Sequence, residues 1–214
     1  MVRELPSPDN VSTGTLVCSG DVHLILADGA KLTATGGENQ AGITVSGEGN
    51  SLTIYGQDAQ SGQLIAKGGY NGAGIGGGNG GSGTNITING GTITATAGSY
   101  GTGIGGGREG SGSYITINGG TVTANGGGWG AGIGGGNKGF GSYITINGGV
   151  VTANGGASGA AIGGGRGNDG FNITINGGTV TANGGEWASG IGGGNYSHSS
   201  SETYSSPNGR AEFQ

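Results

Sequence analysis

The feature that most constrains this chain is a 29-residue period, held without slippage through its second half. The motif GxGIGGG places Ile75, Ile104, Ile133, Ile162 and Ile191 at successive copies of that step, with Ala161 replacing the last Gly before Ile in one copy. ITING repeats at the same step through Ile88, Ile117, Ile146 and Ile175, and the TVTA element through Ile93, Val122, Val151 and Val180. Three independent series sharing one period point to equivalent residues stacked on one another.

Inside each repeat the apolar period is two, the signature of a strand with one buried face. In Tyr114-Ile115-Thr116-Ile117 the two Ile point one way and Thr116 the other; in Thr121-Val122-Thr123-Ala124 the Val and Ala point inward and both Thr outward. β-Branched residues suit strands. The linking Asn118-Gly119-Gly120 is a turn signal, repeated at Asn89, Asn147 and Asn176, and a second Asn-Gly-Gly or Asn-Gly set follows at Asn125, Asn154 and Asn183. Strands this short do not survive alone. Stacked coil on coil, each pairs with its equivalents above and below at about 4.8 Å spacing. The expected fold is therefore all-β, a right-handed parallel β-helix (β-solenoid) with 29-residue coils. Six or seven coils give a rod on the order of 30 Å long. Its core is narrow: Ile133, Ile144, Ile146, Val151 and Ala153 for one coil. A meander of β-hairpins, which Asn-Gly turns also suit, is the competing fold.

Towards the N-terminus the pattern loosens. Ala41-Gly42-Ile43, Leu52-Thr53-Ile54 and Gln63-Leu64-Ile65-Ala66 resemble the three elements with a longer loop from Gly56 to Gly62, and Leu24-Ile25-Leu26 with Leu32-Thr33-Ala34 reads as a degenerate first coil. The expected organisation is an N-terminal cap and degenerate coil over residues 1–40, solenoid coils over 41–195, regular from 71, and a polar tail over 196–214. Atypical end repeats are expected where an open stack must be capped.

Glycine supplies 61 of the 214 residues, but not at every third position, which excludes collagen. Between Asn71 and Asn195 the acids Glu109, Asp169 and Glu186 balance the bases Arg108, Lys138 and Arg166, so the excess negative charge sits at the two ends. No basic stripe for nucleic acid is present, and no amphipathic helix or long apolar run suited to membrane insertion. The opening residues show no signal-peptide pattern, which decides nothing about export. The single cysteine, Cys18, lies in an apolar run without a basic neighbour and is expected to be a buried structural thiol.

On these repeats the sequence resembles glycine-rich right-handed parallel β-helix repeat domains of bacterial surface proteins, carbohydrate-binding or adhesin-like. The similarity covers about Gly42 to Asn195 and is architectural. It implies an extracellular or cell-surface location, contact with polysaccharide or a cell-surface glycan, and in some members calcium; it carries over no individual residue.

Stacking turns each outward position into a row. The first row is Tyr100, Trp129, Ser158 and Trp187. Exposed aromatic rings stack on the apolar C–H faces of sugars, so Tyr100, Trp129 and Trp187 are candidate carbohydrate-binding residues; folding over glycine backbone as a shield is the structural alternative. Tyr114 and Tyr143 form a shorter row with Asn85 and Asn172 and join the candidates, a cross-strand ladder being their structural reading. The second row is a TxT array, Thr92, Thr94, Thr121, Thr123, Thr152, Thr179 and Thr181, broken at Val150. It resembles the hydroxyl-and-methyl grids of ice-binding β-helices. The third row is Asn79, Arg108, Asn137, Arg166 and Asn195; its Asn residues are expected to form a structural turn ladder and Arg108 and Arg166 to lie at the loop surface, with binding as the alternative.

Catalysis is not expected. A polysaccharide lyase or hydrolase needs paired carboxylates, or a base with a metal, and the acids of the regular coils fall at different repeat positions. His23 and His198 lie at opposite ends. In the loosened coils Asp21, Asp28, Glu38, Glu48 and Asp58 are the only carboxylates numerous enough for a calcium site, solvated caps being their alternative. The function expected is a non-catalytic extracellular binding or adhesion module, with ice binding and polysaccharide cleavage as alternatives.

Overall fold

The computed structural model describes residues 2–4, 10–197 and 210–213. His198 and most of the stretch expected to be a polar tail lie outside the described residues.

Among the described residues every strand pairing is parallel, and the strands sort into three sheets of seven, eight and seven strands. One sheet contains the ITI strands, Gly83–Ile88, Gly112–Ile117, Gly141–Ile146 and Gly170–Ile175, continued towards the N-terminus by Ser51–Gly56, Asp21–Leu26 and Val2–Glu4. The second contains the TVTA strands, Thr92–Thr96, Thr121–Asn125, Val150–Asn154 and Thr179–Asn183, continued by Gln63–Lys67, Lys31–Thr35 and Asn10–Thr13. The third contains seven two-residue strands, among them Ile75–Gly76, Ile104–Gly105, Ile133–Gly134, Ile162–Gly163 and Ile191–Gly192. The chain is a parallel β-solenoid with 29-residue spacing, and hairpins are excluded: Ile115 lies between Ile86 and Ile144, and Val122 between Ile93 and Val151.

The side-chain core is as thin as the sequence implies. Ile133, Ile144, Ile146, Val151 and Ala153 are all fully buried, and the same positions are filled in the coils on either side. The remainder of each coil packs backbone on backbone. A Cβ on Gly156 would lie 1.6 Å from the carbonyl oxygen of Gly127, and one on Gly127 1.7 Å from that of Gly98. No side chain fits such columns, which explains the glycine content better than turn preference does. A second column, Gly76, Gly105, Gly134, Gly163 and Gly192, also has positive φ, between 120° and 137°, a conformation reserved for glycine.

Upstream the coils continue with uneven steps. Leu52 pairs with Ile86 and Leu24 with Ile54, so each of these steps is longer than the regular one, and Leu16–Val17 pairs with Ile43–Thr44. A further coil of Val2–Glu4, Asn10–Thr13 and Leu16–Val17 lies below the one read from Leu24 and Leu32. At the other end, within the stretch expected to be a tail, Arg210–Phe213 pairs in parallel with Thr179–Asn183. Cys18 is buried, and burial pushes its thiol up to about 11, so it is a packed apolar group rather than a nucleophile.

Candidate functional site

The site is built where each coil leaves its TVTA strand, runs through the two-residue Ile-Gly strand and returns. The two arms of this excursion are pinched together by one backbone hydrogen bond per coil: Thr102 N–H to the Gly106 carbonyl, Ala131 to Gly135, Ala160 to Gly164 and Ser189 to Gly193, at 3.0–3.2 Å. Glycine on the returning arm permits that approach: a Cβ on Gly107 would lie 2.8 Å from the Asn71 carbonyl oxygen. As a result the aromatic row of the outgoing arm and the Asn/Arg row of the returning arm become neighbours. The Asn71, Tyr100, Trp129 and Ser158 carbonyls accept from the backbone N–H groups of Arg108, Asn137, Arg166 and Asn195 respectively, at 2.8–2.9 Å.

The two rows therefore make one ridge. Tyr100 packs edge-on against Trp129 with centroids 4.4 Å apart and an interplanar angle of 81°, and against Tyr70 at 5.2 Å and 72°. The guanidinium carbon of Arg108 sits 5.1 Å from the Tyr100 ring centre. That of Arg166 lies 5.5 Å from Trp129 and 5.1 Å from Tyr196. Arginine over a ring face is attracted by the ring quadrupole. Trp129 is 39% exposed and Trp187 57%, with Tyr100 half-buried. At the Ser158 position the row is interrupted, because that residue is buried. Two ridge members escaped the sequence reading, Tyr70 and Tyr196, both exposed. The regular step back from Tyr100 lands on Asn71, which is buried, and Tyr70 is its immediate predecessor in the chain.

Charge on the ridge is local. Glu109 lies 3.7 Å from the Arg108 Nε and 3.6 Å from the Lys138 Nζ. The Tyr70 phenol is held above its ordinary pKa, first by its hydrogen bond with Tyr100. Buried polar atoms without a hydrogen-bond partner among the described residues are Asn71 Oδ1, Asn137 Oδ1 and Arg108 Nε, all belonging to this ridge.

Tyr114 and Tyr143 come together elsewhere. Their rings stack 5.0 Å apart at 5°, the ladder anticipated as the structural reading, and Tyr143 meets Phe171 edge-on at 6.4 Å. Phe171 in turn contacts Phe140, so the cluster holds two rings that do not keep the regular step. Tyr114 and Tyr143 have φ of 54° and 51°, and Asn85 and Asn172 at the equivalent positions 56° and 54°. Left-handed backbone at a bulky residue is uncommon. Here it is a kink repeated in register: pairing runs from Thr84–Ser113 to Ile86–Ile115 and skips one residue on each strand, which leaves Tyr114 and Tyr143 exposed.

The TxT array is in register. Thr92 pairs with Thr121 and Thr94 with Thr123, Thr123 with Thr152 and Thr152 with Thr181, while Val150 stands exposed between Thr121 and Thr179. Beside it runs a ladder of Asn amides, Asn118 to Asn89, Asn147 to Asn118 and Asn176 to Asn147, each 2.8 Å.

The N-terminal carboxylates do not converge. Asp28 accepts from the backbone N–H of Ala59 and Ser61, which lowers its pKa and fastens the longer loop. Asp21 accepts from Ser51 and from His23, with its pKa lowered by those two bonds, Ser51 first. The carboxylate stands between hydroxyl and imidazole, so this trio is not arranged as a nucleophile with its base. Among the described residues no three His, Cys, Asp or Glu side chains come together to hold a metal ion.

Comparison with known proteins agrees with the architecture. The family described as a beta helix repeat matches four segments, residues 86–108, 115–137, 144–166 and 173–195. Each begins at the second half of an ITI strand and ends at the Asn/Arg row, so the match spans the ridge-forming excursion once per coil. No curated protein and no solved structure matches the chain.

Proposed function

We propose that this parallel β-helix repeat domain is a non-catalytic, extracellular binding or adhesion module that presents its rigid aromatic ridge to polysaccharide or a cell-surface glycan. The observation that carries the reading is the ring series Tyr70, Tyr100 and Trp129, in mutual contact along the solenoid axis with Trp187 exposed beyond it. Ridge residues repeat at about 4.8 Å per coil, fixed by backbone stacking, so a linear ligand laid along the axis meets them without ordering the protein first. Tyr and Trp supply apolar area with a polar tip, suited to sugar rings. Because adjacent rings are nearly perpendicular, the ridge offers ring edges and single faces rather than one flat platform, and Trp187 has the most exposed ring of the predicted row.

Glycan-array binding followed by affinity electrophoresis tests the proposal. Trp129→Ala with Trp187→Ala is expected to abolish retention while melting temperature changes little. Unchanged retention in a folded double variant removes these residues from the site. The threonine register supports a second reading, ice binding through the TVTA face. Thermal hysteresis that disappears in Thr121→Tyr would establish it; absence of hysteresis in the parent chain would end it.

A further inference from the structure

We infer that the ridge is matched to an acidic polysaccharide carrying one anionic group on every second sugar; this rests on the glycan reading above and specifies its ligand. The first observation is an alternation. Along the returning arm the row reads Asn79, Arg108, Asn137, Arg166, Asn195, so a guanidinium recurs every second coil with an amide between. Two coils span about 9.6 Å at the usual strand spacing, comparable with a disaccharide in an extended chain. All three bases of residues 71–195 lie on this side of the coil, Arg108 and Arg166 in the row and Lys138 just past it.

The second observation is how the guanidiniums are held. Arg108 lies over Tyr100, and Arg166 is placed against both Trp129 and Tyr196. An arginine whose flat face rests on a ring keeps an N–H edge for a bidentate acceptor, and its planar fork fits a carboxylate; in Arg108, whose Nε is buried beside Glu109, that edge is the pair of terminal amino groups. Being already immobilised, it loses little further freedom on binding. Sugar C–H faces then meet ring faces that no arginine covers, that of the exposed Trp187 among them, while the anion meets the fork. Glu109, between Arg108 and Lys138, separates neighbouring cationic points and disfavours a ligand charged at every sugar.

The test uses the full chain with hyaluronan, in which uronate alternates with a neutral sugar, its carboxyl-reduced form, and polygalacturonate, charged at every residue. Hyaluronan is expected to bind about a hundredfold more tightly than the reduced polymer, two charge-assisted contacts at about tenfold each, with affinity falling as salt rises. Arg166→Gln should narrow that gap and Arg166→Gln with Arg108→Gln should close it, while Arg166→Lys, which keeps charge but loses the plane, should retain only part of the Arg166 share. Equal binding of hyaluronan and its reduced form would overturn the acidic-ligand inference and leave the aromatic reading standing. Polygalacturonate binding as tightly as hyaluronan would overturn the two-coil match. Binding to none of these polymers would overturn the inference; if a glycan array then also gives no ligand, the glycan reading fails with it.

Discussion

The regular coils from residue 71 onward and the looser coils before them hold the same three sheets together by different means. In the regular part adjacent loops touch through glycine backbone, as where a Cβ on Gly156 would meet the Gly127 carbonyl, and Asn amides repeat identical bonds from coil to coil. In the earlier part the loop after Gly56 is longer, and side chains do the joining: Gln57 accepts from the Asp28 N–H, Asp28 from Ala59 and Ser61, and Gln60 from the Gly91 N–H. Backbone-on-backbone stacking requires each column to align, and it also crosses one longer step, where a Cβ on Gly69 would lie 1.8 Å from the Gly37 carbonyl oxygen. Side-chain fasteners absorb the longer steps from Leu24 to Ile54 and from Leu52 to Ile86. The ridge lies chiefly on the rigid kind, which is where spacing of binding groups can be held constant.

The sharpest way to break this contrast is Gly156→Ala. It drives a methyl into the Gly127 carbonyl and is expected to cost about 3 kcal/mol or more, whereas Gly14→Ala, with open space around it and no positive φ, should lie within about 0.5 kcal/mol of the parent. Urea denaturation midpoints compare the two directly. Ile146→Ala, at a fully buried core position, should lower stability by about 3 kcal/mol, showing that the thin side-chain core still matters beside the glycine columns. Asn147→Ala removes the amide shared by two rungs of the ladder and should cost about 1 kcal/mol, with a small drop in melting temperature.

The smallest effect concerns the looser coils and depends on pH. The Asp28 carboxyl titrates below its ordinary value because of its bonds to Ala59 and Ser61. Its contribution is therefore present above the unfolded carboxyl pKa, about 3.9, and is lost as pH falls through the lower folded value. Hydrogen-exchange protection around Ala59, taken relative to the intrinsic exchange rate at each pH, should fall on acidification below about pH 4 in the parent. In Asp28→Asn that protection should already be lower at neutral pH and less sensitive to acid.

Much of this was legible in the sequence because a solenoid writes its geometry as a period. The parallel stacking, the inward Ile and Val positions and the Tyr100, Trp129, Trp187 row all follow from the 29-residue step. What the step does not encode is contact within a coil. Arg108 lies over Tyr100 only because the Thr102–Gly106 bond pinches the excursion, a closure that glycine permits and sequence spacing does not announce. Tyr70 was hidden because the step falls on its neighbour Asn71, and the left-handed kinks at Tyr114 and Tyr143 lie inside strands whose alternation looks unbroken. The coil containing Val2–Glu4, Asn10–Thr13 and Leu16–Val17 is shorter than the others, and its step from Asn10 to Lys31 falls outside any search at the regular period.

The most direct test of ligand contact at the ridge uses the fact that Trp129 and Trp187 are the only tryptophans in the chain. Intrinsic fluorescence during titration with a polysaccharide retained in affinity electrophoresis should show a saturable shift, and acrylamide quenching of the same signal should fall in parallel. Retention of the polysaccharide with both signals unchanged would place the ligand elsewhere on the solenoid and contradict the ridge as its site.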